Sequence, residues 1–213
     1  MGPDYYSTHE YRECLVNLFQ INQLLGISRD TVNVLKKYPA GYTLLDVGCG
    51  GGLFLLDLRN YFPALKMTGC DVSAEAISNA KENVYQDANI NFQLQDKNEL
   101  TLASNQYDFI LITLVCHHLT DTEIIAFLQT AYTAASSAVI INDLHRHPLS
   151  WLFYKLLCPL FFKNRLIRHD GLVSITRSFV RADWISYLNK AGITDYTLRW
   201  RFPFRWQLIL MKQ

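Results

Sequence analysis

Short apolar runs alternate along the chain with segments in which apolar residues recur every three or four positions. Runs of strand character fall at residues 43–47, 66–70, 90–94, 109–113, 138–142, 194–199 and 206–211, and helical periods separate most of them. Thr120-Asp121-Thr122-Glu123 is a capping box, after which Ile124, Ile125, Leu128, Ala131, Tyr132 and Ala135 follow at helical spacing. Ser73 is placed to cap a helix whose inner face is Ile77, Ala80 and Val84, and the stripe Trp184, Ile185 and Leu188 ends at Gly192, a suitable left-handed stop. Ahead of the alternation, residues 11–38 predict one or two helices broken near Gly26. Strands that alternate with helices imply crossover units and a parallel sheet, so the pattern predicts a doubly wound α/β fold.

Composition narrows the class. The chain has 213 residues, 50% of them hydrophobic, and carries 20 basic against 19 acidic side chains. That length and apolar content suit one compact domain, with no linker at which to cut it. The charge balance argues against a surface built to hold nucleic acid, which needs a basic excess to displace counterions. Five cysteines, Cys14, Cys49, Cys70, Cys116 and Cys158, are odd in number and widely spaced, which suggests neither a disulfide framework nor a metal site. With no basic-then-apolar order of a secretory signal near the start, the expected compartment is the cytoplasm. Residues 149–162 are strongly apolar but too short to span a bilayer, and Lys155 and Pro159 interrupt them.

Candidate chemistry starts at Leu44-Leu45-Asp46-Val47-Gly48-Cys49-Gly50-Gly51-Gly52, which ends the first predicted strand and opens a helix at residues 53–61. Four glycines in five positions suit a turn with unusual dihedrals and close approach to a ligand. The dinucleotide fingerprint requires a sixth-position glycine, and counting from Gly48 puts Leu53 there. The pattern Asp46-x-Gly48-x-Gly50-x-Gly52 resembles instead the first motif of the class I S-adenosylmethionine-dependent methyltransferases, and the likeness extends in order and spacing from the loop to the final strand.

That resemblance implies a Rossmann-like, seven-stranded, mostly parallel sheet with an antiparallel last strand and helices on both faces. It divides the single domain of residues 1–213 into an N-terminal helical cap (1–40), a cofactor-binding core (41–143), a lid or specificity insert (144–193) and terminal strands (194–213). The implied cofactor is S-adenosyl-L-methionine, leaving as S-adenosyl-L-homocysteine, with no metal. Asp46 takes the place of the acidic residue beside the methionine part, the alternative being a carboxylate that ties down its own loop. Asp71, ending the second strand, can accept from the ribose hydroxyls. Asp96, in Gln95-Asp96-Lys97 where the family commonly has glycine-aspartate, takes the adenine amino group, with the register open by one residue. Gly48, Cys49, Gly50, Gly52, Val72, Lys97 and Leu114 complete the expected cofactor set. Cys49 and Cys70 read as packing residues, and Asp108 as structural.

Methyl transfer requires alignment of the nucleophile, exclusion of water and removal of a proton from an acceptor hydroxyl. Base candidates follow the fourth and fifth strands: His117 and His118, the latter favoured, and Asp143 and His145, with His145 favoured in its group. The histidine pair lies where methyltransferases of quinone biosynthesis carry a similar pair. In the insert, Trp151 and neighbouring aromatics can enclose an apolar acceptor while Arg146, Arg168, His169 and Arg177 orient its oxygens. The bland alternative is a helix packed on the sheet followed by a solvated basic loop, and a third reading is contact with a membrane surface. The function expected is methylation of a small, lipophilic acceptor at a hydroxyl oxygen, with C-methylation second. A nicotinamide-dependent oxidoreductase and an inactive cofactor-binding protein are the rivals; the proline-rich motif of protein methyltransferases is not found after strand four.

Overall fold

The computed structural model describes residues 7–38, 42–85, 87, 89–96 and 100–212. Seven strands form one sheet: β1 (Thr43–Val47), β2 (Lys66–Asp71), β3 (Ile90–Leu94), β4 (Tyr107–Thr113), β5 (Ala135–Leu144), β6 (Tyr196–Arg201) and β7 (Arg205–Met211). Their order is β3-β2-β1-β4-β5-β7-β6, with β1 to β5 parallel and β7 antiparallel to both its neighbours. Every expected strand is present. β6 starts two residues later than its apolar run, and β5 extends further at both ends.

Side chains along the central strands alternate between two cores, as a period of two demands. Leu44, Phe109, Leu111, Ala138 and Ile140 face α2 (Ile27–Leu35) and α3 (Leu53–Tyr61). Leu45, Val47, Ile110, Ile112, Val139 and Ile141 face α5 (Asp121–Ala134) and α8 (Arg181–Ala191). Helix starts follow the sequence signals: Thr120 and Glu123 complete their capping box at α5, Ser73 caps α4 (Ala74–Asn83), and Gly192 ends α8 in the left-handed region.

One further layer lies outside the sheet sandwich. The leading helix α1 (Thr8–Leu24) is joined by α6 (Pro148–Phe161) and α7 (Arg165–Arg177) through a small core of Cys14, Cys158, Leu166 and Ile167. Residues 165–177 are helical, where a solvated loop was one expectation; Asn164 caps that helix through its side chain, and Leu166, Ile167 and Ile175 supply its buried face. Of residues 144–193, only 148–177 stand outside the sheet layers, because α8 buries Trp184, Tyr187 and Leu188 in the larger core. All five cysteines are free and buried. Among the described residues no helix is long and apolar enough to cross a membrane.

Candidate active site

The carboxyl ends of the parallel strands open on one crevice, where ligands bind in doubly wound sheets. At β1 the chain turns through Gly48, Gly50 and Gly52 at φ +76°, +52° and +73°. A side chain at Gly52 would fall 2.6 Å from the Phe92 ring as well as adopt a disfavoured dihedral, which explains why only glycine fits there. The loop is tied on both sides: Gly48 and Cys49 N–H donate to the Cys70 carbonyl at 2.8 and 3.0 Å, and the Asn83 side chain donates to the Gly51 carbonyl at 2.9 Å. Leu15 of α1 lies over Gly50 and Gly51, and the Tyr11 hydroxyl bonds Ser73 at 3.1 Å, so the leading helix covers the loop.

Three acidic side chains stand at the ends of adjacent strands β1, β2 and β3. Asp46 is buried and has no hydrogen-bond partner among the described residues; burial, and secondarily the nearby Asp71 charge, push its carboxyl up to about 8. Asp71 accepts from Gly50 N–H and from Ser73 N–H, each at 2.9 Å, leaving lone pairs on both oxygens for a ligand. Asp96 is exposed just past β3. Val72 offers an exposed apolar surface beside Asp71. Lys97 lies outside the described residues. Leu114, just past β4, holds φ +56°, rare for a branched side chain and the kind of strain found at functional sites. Cys49 and Cys70 are buried, and burial raises both thiols, which disfavours the reactive thiolate.

These groups fit S-adenosylmethionine: a buried carboxylate without a partner suits a cation, a strand-end carboxylate braced by backbone amides suits vicinal hydroxyls, and the glycine turn permits close approach. Asp108, by contrast, accepts from Thr43 N–H and from the Thr43 and Ser136 hydroxyls at the opposite end of the strands, a structural clasp.

The histidines separate into two places. His117, in a 3₁₀ turn after β4 (Cys116–His118), is buried, and its Nδ1 lies 2.8 Å from Oδ1 of Asp143 at the end of β5. Asp143 is wholly buried and also accepts from Leu144 N–H. The His118 ring lies 4.2 Å from that of His117. It keeps solvent-exposed surface but is crowded by protein elsewhere; desolvation, then the neighbouring His117, bring it down to about 4. His145 is not brought to this pair: its Nδ1 accepts from the Trp200 indole at 3.2 Å, among His147, Phe204 and Trp206.

The expected acceptor residues scatter. Arg146 is engaged with Asp183 and the Ser178 carbonyl, each at 2.9 Å. Trp151 lies under Lys155 on the outer side of α6, and Arg168 and His169 are exposed, the latter 3.3 Å from Asp170. Arg177 is exposed and close enough to His118 to oppose its protonation. Sequence reasoning missed a polar row on the α2 side of the sheet, where Asn142 donates to Thr31 and the fully buried Arg205 donates to Asp30 at 2.9 Å.

A family model described as a methyltransferase domain matches residues 44–137. A ubiquinone biosynthesis O-methyltransferase of Coxiella burnetii is 30% identical over 114 residues, 53% of this chain and 48% of its own length. The chain thus spans about half the length of the curated relatives it matches. Human N-acetylserotonin methyltransferase, solved with S-adenosylmethionine, superposes over 98% of this chain and 57% of its own at a TM-score of 0.70 and 19% identity. An O-methyltransferase family 2 protein of Planctomyces limnophilus, solved with apigenin, covers 99% and 63% at 0.68 and 16%. At these identities the two structures establish the fold.

Proposed function

We propose that the chain is a class I S-adenosylmethionine-dependent methyltransferase, which the methyltransferase-domain match over residues 44–137 supports, and that it methylates a hydroxyl oxygen on a small, apolar, ring-bearing acceptor. The observation that carries this reading is the buried His117–Asp143 contact of 2.8 Å beside the row of strand-end acids. The names of the relatives support oxygen as the methylated atom and an aromatic or quinone-like ring.

The cofactor, when bound, supplies a methyl group already activated on a sulfonium, so the protein's own work is to bind, orient and take a proton. Asp46 balances positive charge, Asp71 holds the ribose and Asp96 the adenine, with Gly48, Cys49, Gly50, Gly52, Val72 and Leu114 shaping the walls. Asp143 accepts from Nδ1–H of His117, which fixes the tautomer and leaves Nε2 to take the acceptor's proton. The resulting imidazolium is stabilised by the buried carboxylate. His118, held neutral near pH 7, is the poorer base and serves as a wall of the acceptor site with Arg177. His145 and Arg146 are assigned to holding the insert on the sheet.

The test is methyl transfer from labelled cofactor to hydroxylated aromatic acceptors, followed by mass spectrometry. His117→Ala and Asp143→Asn are expected to lower turnover by about 10²–10⁴-fold while leaving S-adenosylhomocysteine binding unchanged. Unchanged turnover in both variants moves the base elsewhere.

A further inference from the structure

The outer face of α6 is unusually apolar for a surface. Its inner face, Tyr154 and Cys158, is fastened to α1 and α7, and Tyr154 Oη donates to the Ile167 carbonyl at 2.7 Å. Leu149, Phe153, Leu156 and Leu160 follow at helical spacing on the other side, Leu156 58% and Leu160 75% exposed, and Phe161 at the end is 74% exposed. The turn between β6 and β7 continues this surface: the Phe153 ring lies 6.3 Å from that of Phe204, Trp200 meets Phe204 edge-on, and Phe202 is 77% exposed. Contiguous apolar area of this kind marks an interaction site.

Charge selects its occupant. Residues 144–169 and 196–212 contain no Asp or Glu, in a chain whose basic and acidic side chains balance at 20 and 19 overall. Some of these cations are held by acids from other elements, but Lys155, Lys163, Arg168 and Arg199 are exposed and form no ion pair among the described residues. An apolar face flanked by these unpaired cations complements an anionic lipid headgroup layer over hydrocarbon. A second copy related by a two-fold axis would set like charges against each other.

We propose that α6 and the β6–β7 turn dock the protein on an anionic phospholipid bilayer, and that the acceptor is a hydroxylated ring with an aliphatic tail, taken from that bilayer. The inference about the acceptor rests on the methyl-transfer reading. The same α6–α7 unit that faces lipid outward packs through α7 against the turn that carries His118, so the docking face and the crevice share one structural unit.

Vesicle flotation of the full chain tests the docking. Vesicles of phosphatidylcholine with about 30% phosphatidylglycerol are expected to bind about tenfold or more tightly than neutral ones, and added salt to weaken the binding. Leu156→Asp with Leu160→Asp, both exposed, is expected to abolish it while S-adenosylhomocysteine binding persists. Lys155→Ala with Lys163→Ala is expected to remove most of the preference for anionic lipid, and the Trp151 and Trp200 emission of the wild type to shift blue on vesicles. Wild type that stays with the unbound fraction, or an aspartate variant that still floats, overturns the proposal. So does light scattering that shows a dimer made monomeric by the aspartates with no vesicle binding, which assigns the face to a second copy. Floating protein that fails to bind S-adenosylhomocysteine upholds docking and sinks the methyl-transfer reading; the reverse result sinks docking alone.

Discussion

Asp46 shows what a single carboxylate can report. Its folded value, raised to about 8 by burial and then by Asp71, lies above the ordinary 3.8, so the fold favours the protonated form. Its contribution to stability is therefore full below about pH 4 and is lost as pH rises towards about 8. A cation bound beside it reverses the preference. Affinity for S-adenosylmethionine is thus expected to rise between pH 6 and 8 by up to about tenfold per unit and to level above, with Asp46→Asn flat; calorimetry across that range decides it, and a flat wild-type profile assigns the counter-charge to another group. Asp71→Ala is expected to weaken S-adenosylhomocysteine binding by roughly 2–4 kcal/mol through loss of charge-assisted bonds. A loss below tenfold, in protein whose circular dichroism is unchanged, moves the ribose site elsewhere.

Elements place these residues with little freedom. The glycine turn lies against Phe92 of β3 at Gly52 and against Val115 at Gly48, so the loop's shape is fixed by neighbours distant in sequence as well as by its own dihedrals. Gly52→Ala combines a left-handed dihedral, worth about 1–2 kcal/mol for a residue with a Cβ, with overlap on the ring. Adding Phe92→Ala removes the overlap but not the dihedral, so the double variant is expected to regain only part of the lost melting temperature and cofactor affinity beyond the cavity cost of Phe92→Ala alone. Full recovery of both makes the dihedral unimportant. The glycine spacing and the caps at Thr120 and Ser73 were legible in the sequence because each is a local backbone requirement. The helical state of residues 165–177 was not, since a mixed basic stretch containing Gly171 has weak local preference and gains its order from α1 and α6.

At the scale of the whole molecule, one buried pair ties the leading helices to the last strand: Arg205 of β7, with no exposed surface, donates to Asp30 of α2, and Arg201 approaches the same carboxylate at 3.9 Å. Asp30→Ala leaves the guanidinium buried without its counter-charge and is expected to cost about 3–5 kcal/mol, read by urea unfolding. Arg205→Met, which removes the charge itself, is expected to cost less; equal losses count against desolvated charge as the cause. No sequence pattern linked residues so far apart. Nor could it choose among the histidines: the parity of β5 puts Asp143 on the face of Val139 and Ile141, but only the packed 3₁₀ turn shows that His117, rather than His118 or His145, meets it. The alternation of elements, the strand-end acids and the cofactor class were determined by the sequence itself, because period, turn chemistry and loop spacing are local properties of the chain. The partner of each buried polar group and the outward turn of the α6 leucines were decided by tertiary structure, because desolvation and contact depend on what the rest of the fold brings alongside.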